Sequence, residues 1–337
     1  MMRFKIFKLR FTSPLHIGNL RDDLSVSQKT IHSDTLHAAL LSCLAKTGRA
    51  VPADGDIGCV TSDLFPYYQQ TEESKPIYFL PMPLQTSMPQ LSDPADAKKV
   101  KKVQWVDATL YSQILNGNSI FNGSEEQMRM IKDSYLTAEQ MPTDASGAYD
   151  FVRSDVIERA SIADRTGNGS SMPFYVDRIS FRDYAGLYFL VRESDDTTLL
   201  EEALHLLSLE GIGTDRSSGY GFFEVEPSVQ SLIIETPADA EHSVSLSMLI
   251  PDSEEQLNEL LSSQRVAYDF SRRGGWITSV PYTTLRKKAI YAFLPGSVFH
   301  CSYSTDTSGC IVNLQPEDTP VKHPVWRNGK SLMLPIK

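Results

Sequence analysis

The run Gly211-Ile212-Gly213-Thr214-Asp215-Arg216-Ser217-Ser218-Gly219-Tyr220-Gly221 lies between a strong helix pattern and a short strand pattern. Its glycines, two serines and one arginine supply what a backbone needs to approach a phosphodiester: no Cβ in the way, N–H groups able to donate, and a cation. The order of elements excludes a nucleotide-binding P-loop. There the glycines follow a strand, open a helix and end in Gly-Lys-Ser/Thr, whereas here the helix comes first and no Lys follows. A purely structural reading stands beside the phosphate reading: a helix C-cap at Gly211 followed by a tight turn.

At 337 residues, with 41% hydrophobic and 22% charged, the chain has room for two packed domains of an ordinary globular protein. The N-terminal stretch Arg3–Phe11 alternates basic and apolar residues, which reads as a β-strand and not as a signal peptide. No apolar run approaches the roughly 20 residues that span a bilayer, so the expectation is a cytoplasmic protein with no membrane contact. Cys43, Cys59, Cys301 and Cys310 form no Cys-x-x-Cys pair, and no His stands at zinc-ligand spacing beside them. They read as reduced thiols, with no metal and no cofactor expected.

A net charge of −10 argues against a free-standing nucleic-acid binder, yet phosphate contacts depend on local clusters. Such clusters exist: Lys98, Lys99, Lys101 and Lys102; Arg272-Arg273 before Gly274-Gly275; and Arg286-Lys287-Lys288. Each reads equally as a solvated charged face.

Apolar spacing at Leu36, Ala39, Leu40, Cys43 and Leu44 predicts a helix capped by Ser33 and stopped near Gly48. Ile77–Pro81 reads as a buried strand that opens into a proline-containing excursion from Met82 to about Val103. Helices are expected over Ala108–Leu115 and Glu125–Ile131, and strands over Phe174–Phe181 and Gly186–Arg192. Thr198-Leu199-Leu200-Glu201 reads as a capping box ahead of a helix with Ala203, Leu204 and Leu207, and Phe222–Glu226 as a closing strand. Residues 1–227 then give β-α-β…β-β-α-β, an α+β ferredoxin-like (RRM-like) frame. Residues 228–337 read as a smaller α+β domain, a degenerate copy of the same frame. It holds a strand over Ser243–Ile250, a helix capped by Asp252-Ser253-Glu254-Glu255, and strand-like pieces at Val266–Phe270, Ala289–Leu294 and Gly309–Leu314.

Four features together resemble one family: the opening strand into Ser13-Pro14-Leu15-His16-Ile17-Gly18, the helix start His32-Ser33-Asp34-Thr35-Leu36, the segment from Arg159 to Asp164-Arg165-Thr166, and the glycine loop. The chain resembles the RAMP superfamily and, within it, the Cas5-like subunit of type III-A CRISPR effector complexes, the fourth Csm protein. Arg273-Gly274-Gly275-Trp276-Ile277 and Pro295-Gly296-Ser297-Val298-Phe299 extend the similarity over nearly the whole length. The resemblance implies a non-catalytic RNA-binding subunit of an antiviral ribonucleoprotein. It would grip the 5′ handle of crRNA and join the large polymerase-like (Cas10-family) subunit to the adjacent backbone RAMP subunit. It would also lie near target RNA at the handle–spacer junction, with the Met82–Val103 excursion, and residues 82–103 generally, in the place of the family's thumb.

The RNA-binding set expected on this reading begins with His16, Gly18, His32 and Ser33, the lysines at 98, 99, 101 and 102, and Arg159 and Arg165. It continues through Gly211, Gly213, Arg216, Ser217, Ser218, Gly219, Tyr220 and Gly221, and ends with Arg272, Arg273 and Trp276. A single-stranded handle offers bases to aromatics and phosphates to amides and cations, so Tyr220 and Trp276 read as stacking candidates or as core aromatics. Two rival functions are an endoribonuclease using His16, His32 or His37, for which no acid–base partner is evident, and a protein-only adaptor. A metal-dependent polymerase or nuclease is disfavoured, because no paired carboxylates stand on adjacent strands.

Overall fold

A computed structural model describes residues 1–18, 24–85, 100–120, 129–131, 134–139, 150–162, 171–227, 231–301 and 307–337. In the first part of the chain these form β1 (Met2–Phe11), α1 (Ser33–Lys46), β2 (Phe65–Tyr68), β3 (Ile77–Pro81), β4 (Trp105–Asp107) and α2 (Ala108–Leu115). There follow β5 (Arg129–Ile131), β6 (Tyr135–Thr137), β7 (Val152–Ile162), β8 (Ser171–Phe181), β9 (Ala185–Arg192), α3 (Thr198–Glu210), β10 (Phe223–Pro227) and β11 (Leu232–Ile234).

One large sheet runs β10-β1-β9-β2-β3-β4-β6-β5, with β11 also on β1. Its pairs are antiparallel except for β4 with β6. Alternation along each strand sends side chains to two different cores. Phe7 and Leu9 of β1 and Leu187, Phe189 and Val191 of β9 face a core closed by Leu36, Leu40 and Leu44 of α1 and Leu200, Leu204 and Leu207 of α3. Phe4, Ile6, Tyr188 and Leu190 point the other way, against Leu110, Tyr111 and Leu115 of α2. Both faces of β9 are therefore covered, which is why its sequence is apolar without interruption.

The remainder holds β12 (His242–Ser245), α4 (Glu254–Leu260), β13 (Phe270–Arg273), β14 (Ile290–Phe293), β15 (Val298–His300), β16 (Thr307–Ser308), β17 (Ile311–Asn313), β18 (Trp326–Asn328) and β19 (Ser331–Ile336). Four of these strands make a sheet in the order β15-β12-β19-β16, while β13–β14 and β17–β18 are two-stranded ribbons. Val244, Leu246, Val298, Leu332, Leu334 and Ile336 complete the core on the α2 side of the large sheet. Burying side chains of this size is worth about 1.5–3 kcal/mol each, so the two parts of the chain are held by a shared apolar layer.

Several sequence expectations are corrected. Arg129–Ile131, read as part of a helix, is a strand on Tyr135–Thr137; pairing outweighs the weak helical spacing, and residues 125–128 lie outside the described set. The strand expected over Ser243–Ile250 ends at Ser245, because the Met248 N–H turns away to Ser33 Oγ and Asp63 Oδ1. Ser33 is not the cap of α1: His32 takes that position and Ser33 is buried inside the first turn. At α3 the cap moves by one residue, to Thr197, whose hydroxyl donates to Glu201 at 2.6 Å. The β7–β8 hairpin, paired over its full length, had no sequence reading for its first strand. Residues 86–99 of the excursion lie outside the described set, as do Lys98, Lys99 and Arg165.

Candidate nucleic-acid interface

The glycine loop leaves α3 at Gly211 with φ +76°, in the left-handed region that favours glycine. Ile212 donates to the Gly221 carbonyl at 2.9 Å, Gly221 to Pro14 at 2.8 Å, and Thr214 donates to the His16 carbonyl through both its N–H and its hydroxyl at 3.0 Å. The loop is thus fastened to residues 13–17. A Cβ on Gly213 would come within 2.5 Å of the His16 carbonyl oxygen, and one on Gly221 would overlap the Ile212 carbonyl oxygen. At Gly211, Gly213 and Gly221, the closely approaching backbone is therefore the chain's own.

Gly219 differs. Its φ is +89°, yet a Cβ there would meet nothing within 4 Å. It closes a single 3-10 turn, Arg216–Ser218, and Ser217, Ser218 and Gly219 form an exposed apex. Arg216 is half exposed, with Glu210 4.0 Å away. An exposed pair at that distance is worth at most about 1 kcal/mol and leaves the guanidinium available.

Beneath the apex, Arg159 of β7 donates to Asp215 at 2.8 Å and lies over the Tyr220 ring at 4.9 Å. Tyr220 is only 6% exposed, so it takes the core reading and carries Arg159. His16 is fully buried below the same loop, with Nδ1 2.6 Å from the Asp177 carbonyl oxygen and Nε2 without a hydrogen-bond partner. The Asp177 carboxylate accepts from the Ser154 hydroxyl at 2.6 Å and the Ser27 N–H at 2.9 Å, tying the β7–β8 hairpin to this corner. Gly18 is the last described residue before position 24 and is half buried.

The other candidates lie elsewhere. His32 Nδ1 is 2.6 Å from Asp63, whose second oxygen accepts from the Ser33 and Met248 N–H groups. Arg273 makes two 2.8 Å bonds to Asp34, which also pairs with the buried Arg327. Burial opposes a charge on Asp34, but Arg327 and Arg273 outweigh it and hold its carboxyl well below the usual range. His32, Ser33 and Arg273 are thus internal ties, joining the start of α1 to Asp63, to Met248 and to β13 respectively. Arg272 is exposed on β13, Trp276 lies under the Arg286 guanidinium at 4.8 Å, and Lys101 and Lys102 are exposed at the foot of the excursion. His37 is buried, which lowers its pKa to about 4. Among the described residues no cluster of three or more His, Cys, Asp and Glu side chains could hold a metal ion, and no helix is long and apolar enough to cross a membrane.

Sequence reasoning found the cations and missed their anions. Asp34, Asp63, Asp177 and Asp215 organise the candidates, and of these Asp34 lies in the His32–Leu36 helix start and Asp215 in the glycine loop.

Residues 238–336 match the C-terminal domain of CRISPR Csm4. Over 99% of this chain and 98% of its own length, the CRISPR system Cms protein Csm4 of Mycobacterium tuberculosis is 25% identical. The protein of the same name from Streptococcus thermophilus is 26% identical over the whole of both chains. Among solved structures, the Csm3–Csm4 subcomplex of the type III-A CRISPR-Cas interference complex contains a chain similar over 100% of both, with TM-score 0.64 and 18% identity. A Csm1–Csm4 cassette in complex with cA4 contains another, covering 99% of this chain and 98% of its own, with TM-score 0.56 and 18% identity. The fold is therefore shared with a chain of the type III-A CRISPR-Cas interference complex. Residues 238–336 thus resemble the Csm4 C-terminal domain, and the chain as a whole is similar to Csm4 proteins.

Proposed function

We propose that this chain is the non-catalytic subunit that grips the 5′ handle of crRNA and joins the large polymerase-like subunit to the adjacent backbone RAMP subunit, close to target RNA at the handle–spacer junction. The observation that carries this reading is the apex of the glycine loop. Ser217, Ser218 and Gly219 are exposed, Gly219 offers open backbone, and Arg216 stands beside them on a base fixed by internal hydrogen bonds. Such an apex presents two hydroxyls and a guanidinium to a phosphate, its Ser218 and Gly219 N–H groups being used within the turn on the Asp215 and Arg216 carbonyls. The solved relatives, which occur with Csm3 and with Csm1, support the bridging role.

The finer fold belongs to the same reading. The antiparallel order β10-β1-β9-β2, with α1 and α3 against one face, supports a ferredoxin-like N-terminal domain over residues 1–227. The separate sheet β15-β12-β19-β16 supports a smaller second domain over 228–337.

In a complex reassembled with crRNA, Gly219→Asn keeps a side chain that tolerates positive φ but fills the open face, and Arg216→Ala removes the cation. Both are expected to lose handle protection, by about 1–3 kcal/mol for a hydrogen bond to a charged group, with melting temperature unchanged. Gly221→Ala, by contrast, lowers stability first. Full handle protection in both apex variants contradicts the reading.

The His32–Asp63 pair favours the endoribonuclease alternative, since it supplies an acid–base partner the sequence did not reveal. Asp63 is committed to two backbone N–H groups as well, which supports a structural role. Labelled repeat RNA incubated with the purified chain is expected to stay intact. Cleavage that disappears in His32→Ala would establish the alternative.

A further inference from the structure

The β13–β14 ribbon lies outside both larger sheets and exposes aromatic side chains. Tyr268, Phe270 and Tyr291 are 45%, 53% and 62% exposed. Phe270 and Tyr291 meet edge to face at 5.8 Å, and Tyr268 adjoins Phe270 at 6.4 Å, so the rings form one cluster. Arg272, two residues after Phe270 and therefore on the same face, is the register partner of Tyr291.

Residues 265–288 contain six basic residues and one acidic residue, in a chain whose net charge is −10. Arg273 is bound to Asp34 and Lys288 to Glu317. Arg265, Arg272, Arg286 and Lys287 have no carboxylate partner among the described residues. Beyond the ribbon, Gly275 has φ +110°, and a Cβ there would meet only Lys287 Cε at 3.7 Å. Burial first, then the neighbouring Arg327, push the Lys287 pKa down to about 8 against the opposing pull of Asp34.

We propose that the β13–β14 ribbon and the Gly275 turn form a second single-stranded RNA platform, with exposed rings taking bases and Arg272, Arg286 and Lys287 taking phosphates. The inference rests on reading the chain as an RNA-binding subunit but is independent of the glycine loop. Flat apolar rings next to unneutralised cations match the two faces of a nucleotide strand. Aromatic side chains stack on unpaired bases of any sequence, and the cations set the salt dependence.

The test uses the full-length chain and a fluorescent oligouridylate, with Phe270→Ala/Tyr291→Ala, Arg272→Ala and Gly219→Asn compared at several salt concentrations. The double aromatic variant is expected to bind about tenfold or more weakly. Arg272→Ala is expected to lower the slope of log affinity against log salt by about one. Because these side chains are exposed, melting temperatures stay level. Wild-type affinity in the aromatic variant overturns the proposal. So does unchanged RNA binding combined with lost assembly onto the other subunits, which would make the ribbon a protein interface. Full handle protection in both Gly219→Asn and Arg216→Ala in the reassembled complex sinks the handle reading alone and leaves the ribbon result standing.

Discussion

Asp34 shows how single residues organise this chain. It is buried at the start of α1 and holds two arginines, Arg273 and Arg327, that come from the far end of the sequence. Removing the carboxylate leaves Arg327 buried without a counter-charge, so Asp34→Asn is expected to cost about 3–5 kcal/mol at neutral pH, read by denaturant unfolding. The pH dependence follows from the direction of its shift. A carboxyl held below its ordinary value of 3.8 contributes stability that is present above that value and lost as pH falls beneath it. The stability gap between wild type and Asp34→Asn therefore stays constant at neutral pH and narrows in acid below 3.8. A gap independent of pH down to the acid transition would contradict the ion-pair account. At the same scale the glycines divide by what faces them: internal carbonyls at 213 and 221, open space at 219.

Among the elements, the β7–β8 hairpin is attached through the Leu15–Ile179 bridge, the Arg159–Asp215 pair and Asp177. Asp177 accepts from Ser154 and Ser27 while its own N–H donates to Leu24. Asp177→Ala is expected to lower stability by about 1–3 kcal/mol, through two donors left without an acceptor, and to speed proteolysis near residues 24–28. Unchanged protease resistance would show the hairpin is held otherwise. How much of the architecture the sequence disclosed depends on the element. β1, α1, β3, β9 and α3 are legible because their apolar periods are bounded by turn and cap residues. β7 is not, since Arg153, Ser154, Asp155 and Glu158 interrupt any apolar stripe and the strand is held by pairing with β8. Arg129–Ile131 misled for the converse reason: a local pattern suited a helix, and a partner strand decided otherwise. In the candidate site the cations were legible and their partners were not. Arg159 and Asp215 are 56 residues apart and Arg273 and Asp34 are 239 apart, so no local spacing relates them.

Across the whole molecule, an acidic chain commits some cations internally and leaves others exposed, among them those on which the proposed RNA contacts rest. Arg159, Arg273 and Arg327 each have a carboxylate partner. Arg216 stands at the apex of the glycine loop, Arg272 on the ribbon, and Arg286 opposite Trp276 in the segment between its strands. The large sheet is covered by helices on one side and by α2 with the C-terminal strands on the other, while the ribbon packs through Ile290, Ala292 and Phe293 on two smaller apolar clusters. Contacts fixed in this way are preformed, so the binding proposed for them loses little entropy. The central claim is that the apex meets the crRNA handle. Its most direct test places a photoreactive side chain at Ser218 in the reassembled complex and maps the adducts by sequencing the bound RNA. The account predicts adducts confined to handle nucleotides and lost with Arg216→Ala. Adducts only to spacer nucleotides, or only to protein, would contradict it.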